Sequence, residues 1–153
     1  GEPMAIERMN DITHVIQLAI APVFLLAAVG TILTALTNRL GRAVDRRRVV
    51  EERLDGLPEH KAAIARLELD ALGRRIKAIY TAFTLTVSCG LFICLSISIA
   101  FLDTFVPLNL SWAVAVLFVL AMFALIGALL TMLREIYLAI TAPSHTSHRP
   151  PGA

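Results

Sequence analysis

The polar side chains that could do chemistry in this sequence are uncharged, and they lie in an apolar run. Gln17, Thr31, Thr34 and Asn38 recur at intervals that we interpret as one face of an α-helix. Amide and hydroxyl groups on such a face can line a water-filled path for ions when copies of the helix surround it. The same hydroxyls can instead bond to their own helix carbonyls or lie between packed helices. The sequence leaves both interpretations open.

Charged residues at the two ends of this run are candidates for the mouths of such a path or for its gate. Asp11 and Asp103 are expected at one end, and Arg39 and Arg42 at the other. Acidic mouths favour cations, whereas a ring of arginines favours anions, so the sign of the ion is not decided. Asp45 lies among arginines and either relieves their repulsion or forms a specific ion pair between copies.

Pro22 is expected to kink the first helix, because proline cannot donate the helical hydrogen bond. The carbonyl that it frees near Leu18 needs a partner from a neighbouring helix, or water in a cavity. Both possibilities stay open.

The sequence contains few of the features typical of an enzyme. It contains no HExxH motif, no phosphate-binding glycine loop and no plausible Ser/His/Asp set. Its long apolar runs contain no Asp, Glu, His, Lys or Arg, whereas proton-coupled transporters and pumps normally keep one there. Cys89 and Cys94 lie about 140° apart on a helix and are interpreted as packing residues. We expect no enzyme activity, no metal site and no cofactor.

Three membrane-spanning helices are predicted to position these residues. Hydrophobic residues make up 57% of the 153-residue chain and concentrate in uncharged runs at 15–37, 78–102 and 104–133. Each run exceeds the roughly 20 residues that a helix needs to cross a bilayer. A bundle of buried soluble helices is the alternative, but such helices usually keep a polar face. No basic region precedes the first run, so we expect a retained helix rather than a secretory signal.

The distribution of basic residues predicts the orientation. Residues 38–77 hold 11 of the 14 Lys and Arg, whereas the N-terminal flank has only Arg8 and the 103–110 loop has none. Because positive charge stays on the cytoplasmic side, both termini can be placed: the N-terminus outside and the C-terminus inside. The net charge of +2 is explained by this topology and does not point to nucleic acid.

The basic segment is predicted to form a helical hairpin. No helix breaker occurs until Gly56 and Pro58, which mark a turn. Apolar positions step by alternating threes and fours on the first arm (33, 36, 40, 43, 47, 50, 54, with arginine at 47) and on the second (65, 69, 72, 76, 79, 83). The first spanning helix therefore continues as one rod of about 40 residues, roughly 60 Å, and returns as the second span. On the solvated faces we expect the ion pairs Arg48–Glu52 and Arg66–Asp70.

The predicted fold is thus an all-α membrane protein with three transmembrane helices and a cytoplasmic helical hairpin between the first and the second. Its segments are an N-terminal extracytoplasmic segment (1–14), helix 1 (15–37), the hairpin (38–78), helix 2 (79–102), an outer loop (103–110), helix 3 (111–133) and a cytoplasmic tail (134–153).

The stretch from Ile16 to Arg48 resembles the opening of a bacterial family of small membrane proteins known as domain of unknown function 2721. The residues that carry the resemblance are Gln17, Pro22 with the apolar block at 24–26, Asn38–Arg39, and the group Arg42, Asp45 and Arg46. The resemblance covers roughly residues 10–140 and is specific only in that first stretch. It implies a three-helix protein of the bacterial inner (plasma) membrane and implies no activity.

The leading hypothesis is an oligomeric ion channel or pore, lined by helix 1 and assembled or gated by the hairpin. Three helices enclose no water path, so this hypothesis requires a homo-oligomer. The alternative is a non-conducting adaptor whose basic hairpin docks a cytosolic protein or anionic lipid. The expected partners are the lipid bilayer, further copies of the chain and ions, with no nucleic acid.

Overall fold

The structure, a computed structural model, describes residues 1–141 apart from the side chains at 15, 139 and 141. It contains three helices in this part of the chain: α1 (Glu2–Leu54), α2 (Glu59–Phe105) and α3 (Ser111–Thr141). Each has a stretch long and apolar enough to cross a membrane. The predicted all-helical class and the three candidate spans are therefore confirmed.

Helix α1 is a single rod that joins the apolar run to the basic segment. Its 53 residues correspond to about 80 Å. Pro3 lies in its first turn, where the missing amide costs nothing, and the helix continues through Pro22. The predicted continuity between the first span and the basic arm is confirmed. The rod is longer than predicted because residues 2–14, assigned to a separate segment, belong to the same helix.

The turn between α1 and α2 lies where glycine and proline predicted it. The amides of Gly56 and Leu57 donate to the carbonyls of Arg53 and Leu54, which closes the end of α1. Pro58 adopts an extended conformation, and its carbonyl accepts the first hydrogen bonds of α2. The chain thus reverses direction within four residues, 55–58.

Helices α1 and α2 pack along the predicted heptad positions. On α1, Leu36, Ala43 and Val50 are buried, with Leu33, Leu40 and Leu54 half-buried beside them. On α2, the buried residues are Ala65, Leu72, Ile76 and Ile79. The predicted seam is therefore confirmed, and it also extends into the apolar run, where Val29 packs with Cys89 and Ile93. A Cβ atom at Gly90 would lie 3.3 Å from the Val29 side chain, so glycine permits the close approach there.

Helices α2 and α3 pack through small residues. Ala121, Ala124 and Ala128 of α3 are buried, and such small residues permit close helix contact. The hydroxyl of Ser96 donates to the Val114 carbonyl at 3.1 Å and ties the two helices together. Helix α2 contacts both neighbours, whereas the described Cα atoms of α1 and α3 stay more than 8 Å apart.

The three uncharged stretches end at the same level of the bundle. Arg39 of α1, Arg75 of α2 and Glu135 of α3 line one cavity; we call this level the basic end. Helix α3 continues beyond residue 133, where the predicted membrane-spanning segment ends, as far as Thr141. Residues 142–153 of the predicted tail lie outside the described part of the chain.

The predicted ion pairs along the arms are wrong. Among the described residues, Arg47 pairs with Glu51 at 3.0 Å, and Arg46 reaches across the hairpin to Glu68 at 2.7 Å. Neither Arg48–Glu52 nor Arg66–Asp70 comes within 4.0 Å. All four paired side chains remain substantially exposed, so each pair contributes at most about 1 kcal/mol.

Two leucines on α2 test the packing of the arms. Leu72 is 8% exposed in the seam, whereas Leu67 is 69% exposed on the same helix. We expect Leu72→Ala to lower the free energy of unfolding of the arms by about 2–3 kcal/mol, because it leaves a cavity beside Val50 and Ala65. Leu67→Ala should change it by less than about 0.5 kcal/mol. Hydrogen exchange of the amides in the two arms measures both, and equal effects would contradict the seam.

Candidate functional site

Between residues 27 and 41, the side of α1 that points away from α2 carries only small or polar residues. On a helix turning 100° per residue, seven positions between residues 27 and 41 lie within about 60° of Thr34, opposite the buried residues Leu36 and Ala43. We call them the open face; they are Ala27, Gly30, Thr31, Thr34, Thr37, Asn38 and Gly41. All seven are exposed. The open face therefore includes three of the four predicted pore-lining residues.

The threonine hydroxyls of the open face bond to their own helix. Thr31 donates to the Ala27 carbonyl at 3.0 Å, Thr34 to Gly30 at 3.0 Å and Thr37 to Leu33 at 2.8 Å. This is the backbone-bonded arrangement that the sequence left as one of two possibilities. A hydroxyl oxygen that donates its proton still has acceptor capacity. The open face thus offers hydrogen-bond acceptors, while its hydroxyl donors are already used.

Gln17 lies outside the open face, although we predicted that it shares one face with the threonines. It is 17 residues from Thr34, which places it about 100° around an ideal helix. The positions that continue the open face are Ile16, Ile20 and Val23, all exposed. Together with two neighbours they line a shallow apolar groove. This side of α1 is therefore polar at the open face and apolar beyond it, towards the N-terminus of α1.

Pro22 and Asp11 take no part in a described polar contact. Pro22 is half-buried beside the α1–α2 seam, and the helix passes through it. Asp11 is exposed, about 140° around the helix from Thr34. Asp11 thus lies away from the face whose mouth it was expected to form.

Arg39 and Arg42, the predicted inner-mouth residues, line a cavity of about 410 Å³ at the basic end. Arg46, Arg75 and Glu135 also line this basic cavity. The Glu135 side chain is 12% exposed, and its Oε2 atom lies 4.0 Å from Nη1 of Arg39. That distance is too long for a hydrogen bond.

Arg75 and Glu135 line the basic cavity but are not among the site residues predicted from the sequence. The available signal was their position just beyond the ends of two uncharged runs. Asp45 is exposed and lies outside the cavity lining.

Asp103 has a structural contact at the opposite end of the bundle. Its Oδ1 atom accepts a hydrogen bond from the Leu110 amide at 3.0 Å, across the turn between α2 and α3. This hydrogen bond gives the Asp103 carboxylate a structural role in the turn, whether or not Asp103 also lies at the mouth of an ion path.

The described histidine, cysteine and acidic residues form no cluster of three suited to a metal ion. Both cysteines are free, with Cys89 buried and Cys94 exposed.

Two substitutions of Asp103 distinguish the contribution of its oxygen acceptor from that of its negative charge. Asp103→Asn keeps an oxygen for the Leu110 amide, and we expect a change in unfolding free energy within about 0.5 kcal/mol. Asp103→Ala leaves that amide without its partner and should cost about 1–2 kcal/mol. Unfolding of the solubilised protein measures both. Equal losses would show that the negative charge of Asp103, rather than an oxygen acceptor for the Leu110 amide, stabilises the turn.

Comparison with known proteins identifies the family. The family model described as Protein of unknown function (DUF2721) matches residues 19–144. The match includes the whole open face and every residue of the basic cavity. No curated protein and no solved structure matches the sequence. The chain therefore belongs to the DUF2721 family, which confirms the resemblance found in its first helix.

Proposed function

We propose that this protein is a homo-oligomeric cation channel of the bacterial inner membrane, with its path lined by the open face of α1. The observation that carries the proposal is the composition of that face, which has no side chain larger than asparagine. By contrast, exposed positions of α3 in its apolar stretch include Phe123, Ile126 and Leu130. A surface that faced lipid would have no reason to avoid such residues.

The packing of a single chain does not require the small side chains of the open face. A Cβ atom added at Gly30 or Gly41 would meet nothing within 4 Å. In a membrane, small residues allow helices to approach closely, and packing is what drives their association. Copies of α1 arranged around a common axis would use both glycines and would enclose the path that one chain lacks.

The choice of cations follows from the hydrogen bonds of the threonines. Because their hydroxyl protons are committed to backbone carbonyls, these side chains present oxygen lone pairs. Oxygen acceptors replace part of the hydration shell of a cation. The two predicted inner-mouth arginines line the basic cavity instead, outside the open face.

The apolar continuation of the open face is proposed as the gate. In a ring of α1 helices, Ile16, Ile20 and Val23 would form a narrow collar without polar groups, and such collars close by excluding water. The basic arms would lie on the cytoplasmic side, where positive charge is retained, and would hold the ring together.

An ion-flux assay on liposomes containing the full chain tests the channel. We expect K⁺ release from the wild type and none from Gly30→Leu, whose side chain would separate neighbouring α1 helices. Ala115→Leu, at an exposed position of α3, is the matched control and should conduct normally. Circular dichroism confirms that both variants stay helical. Absence of wild-type flux for cations and anions alike would leave the adaptor as the better hypothesis.

A gain of function tests the gate. Val23→Ser should raise the flux several-fold, because a hydroxyl in the collar favours its wetting. The same substitution at Val119, an equally apolar exposed position on α3, should change nothing. Unchanged or lower flux for Val23→Ser would contradict a gate at this level.

A further inference from the structure

The basic cavity contains more positive charge than its own residues neutralise. Of the four arginines that line it, Arg46 is paired with Glu68 at 2.7 Å. Arg39 lies 4.0 Å from Glu135, at the limit of an ion pair. In the described part of the chain, neither Arg42 nor Arg75 has an acidic partner within 4.0 Å. Three guanidinium groups thus face one carboxylate.

This charge pattern suits a phosphate. Guanidinium groups bind phosphate oxygens through paired hydrogen bonds, and they do so best at sites partly shielded from water. The cavity volume of about 410 Å³ is large enough for more than an inorganic ion.

The remaining walls indicate that the ligand is amphiphilic. Ile79, Ile136 and Ile140 line the same cavity as the arginines. The cavity also lies at the level where the uncharged stretches of all three helices end, which is where lipid head groups meet a membrane protein. A free phosphate would leave the apolar walls in contact with water, whereas a phospholipid covers them with its chains.

Glu135 indicates that the ligand carries a hydrogen-bond donor. Its Oε1 atom is buried and has no hydrogen-bond partner among the described residues. A buried acceptor without a donor is unfavourable, and a carboxylate more so than a neutral group. A hydroxyl on the head group would supply the donor without adding positive charge beside the arginines.

We propose that the basic cavity binds an anionic glycerophospholipid of the phosphatidylglycerol type. Arg39, Arg42 and Arg75 hold its phosphate, and Glu135 accepts a hydrogen bond from a hydroxyl of the head group. The assignment does not depend on ion conduction and is tested without a flux assay.

Native mass spectrometry of the detergent-solubilised full chain tests the site with three lipids. We expect phosphatidylglycerol to be retained best, then phosphatidic acid, which lacks the head-group alcohol, and phosphatidylcholine least. Arg75→Gln should weaken phosphatidylglycerol retention about tenfold, as expected for one charge-assisted hydrogen bond. Arg53→Gln, an exposed arginine outside the cavity, is the matched control and should match the wild type. If Arg75→Gln is not folded, Arg42→Gln takes its place.

The ratio of phosphatidylglycerol retention to phosphatidic acid retention measures the preference of the site for a head-group hydroxyl. Glu135→Leu should bring the retention of phosphatidylglycerol and phosphatidic acid close to equality, because the acceptor is gone. Three results would overturn the proposal: equal retention of phosphatidylcholine, equal effects of Arg75→Gln and Arg53→Gln, or an unchanged ratio in Glu135→Leu. Complete displacement of the lipid by inorganic phosphate would assign the site to free phosphate instead.

Discussion

A hydrocarbon layer offers no partner to a free backbone amide, so a chain that crosses it must satisfy its hydrogen bonds within each segment. The three long helices meet that constraint, and α1 does so without a break between its apolar and basic parts. The seam with α2 runs along the same rod, from Val29 against Cys89 to Val50 against Ala65. The basic arms are therefore joined to the apolar part of the bundle by a continuous packed interface rather than by a linker.

The two sides of α1 differ in composition and in burial. The seam side carries leucine, valine and alanine at heptad spacing and is buried against α2. The open face carries glycine, alanine, threonine and asparagine, and no residue among those the structure describes covers it. Since a lipid-facing surface gains nothing from small polar residues, this difference is the basis for assigning the open face to contact with further copies.

The sequence predicted those features that depend on periodicity along one helix. The heptad positions at 36, 43 and 50 and the turn at Gly56 and Pro58 follow from spacing and local conformational preference. The N-terminal extent of α1 was underestimated, because polar helix formers before the apolar run were assigned to a separate segment.

Features that depend on the relative rotation of different helices were not predictable in the same way. The ion pair Arg46–Glu68 joins two arms, so a rule about residues four apart on one helix cannot find it. The basic cavity takes one or more side chains from each of the three helices, and Glu135 received no role from its sequence context. The one-face prediction is wrong for Gln17, because its separation of 17 residues from Thr34 places it about 100° away around the helix.

The proposed channel requires that the open face of α1 contacts the same face of other copies. The most direct measurement is the mass of the detergent-solubilised full-length protein by light scattering, with the detergent contribution subtracted. We expect a single assembly whose mass is a multiple of the 16.6 kDa chain, stable on dilution above the critical micelle concentration. A particle of 16.6 kDa would contradict it, since one chain encloses no path and leaves the open face to lipid.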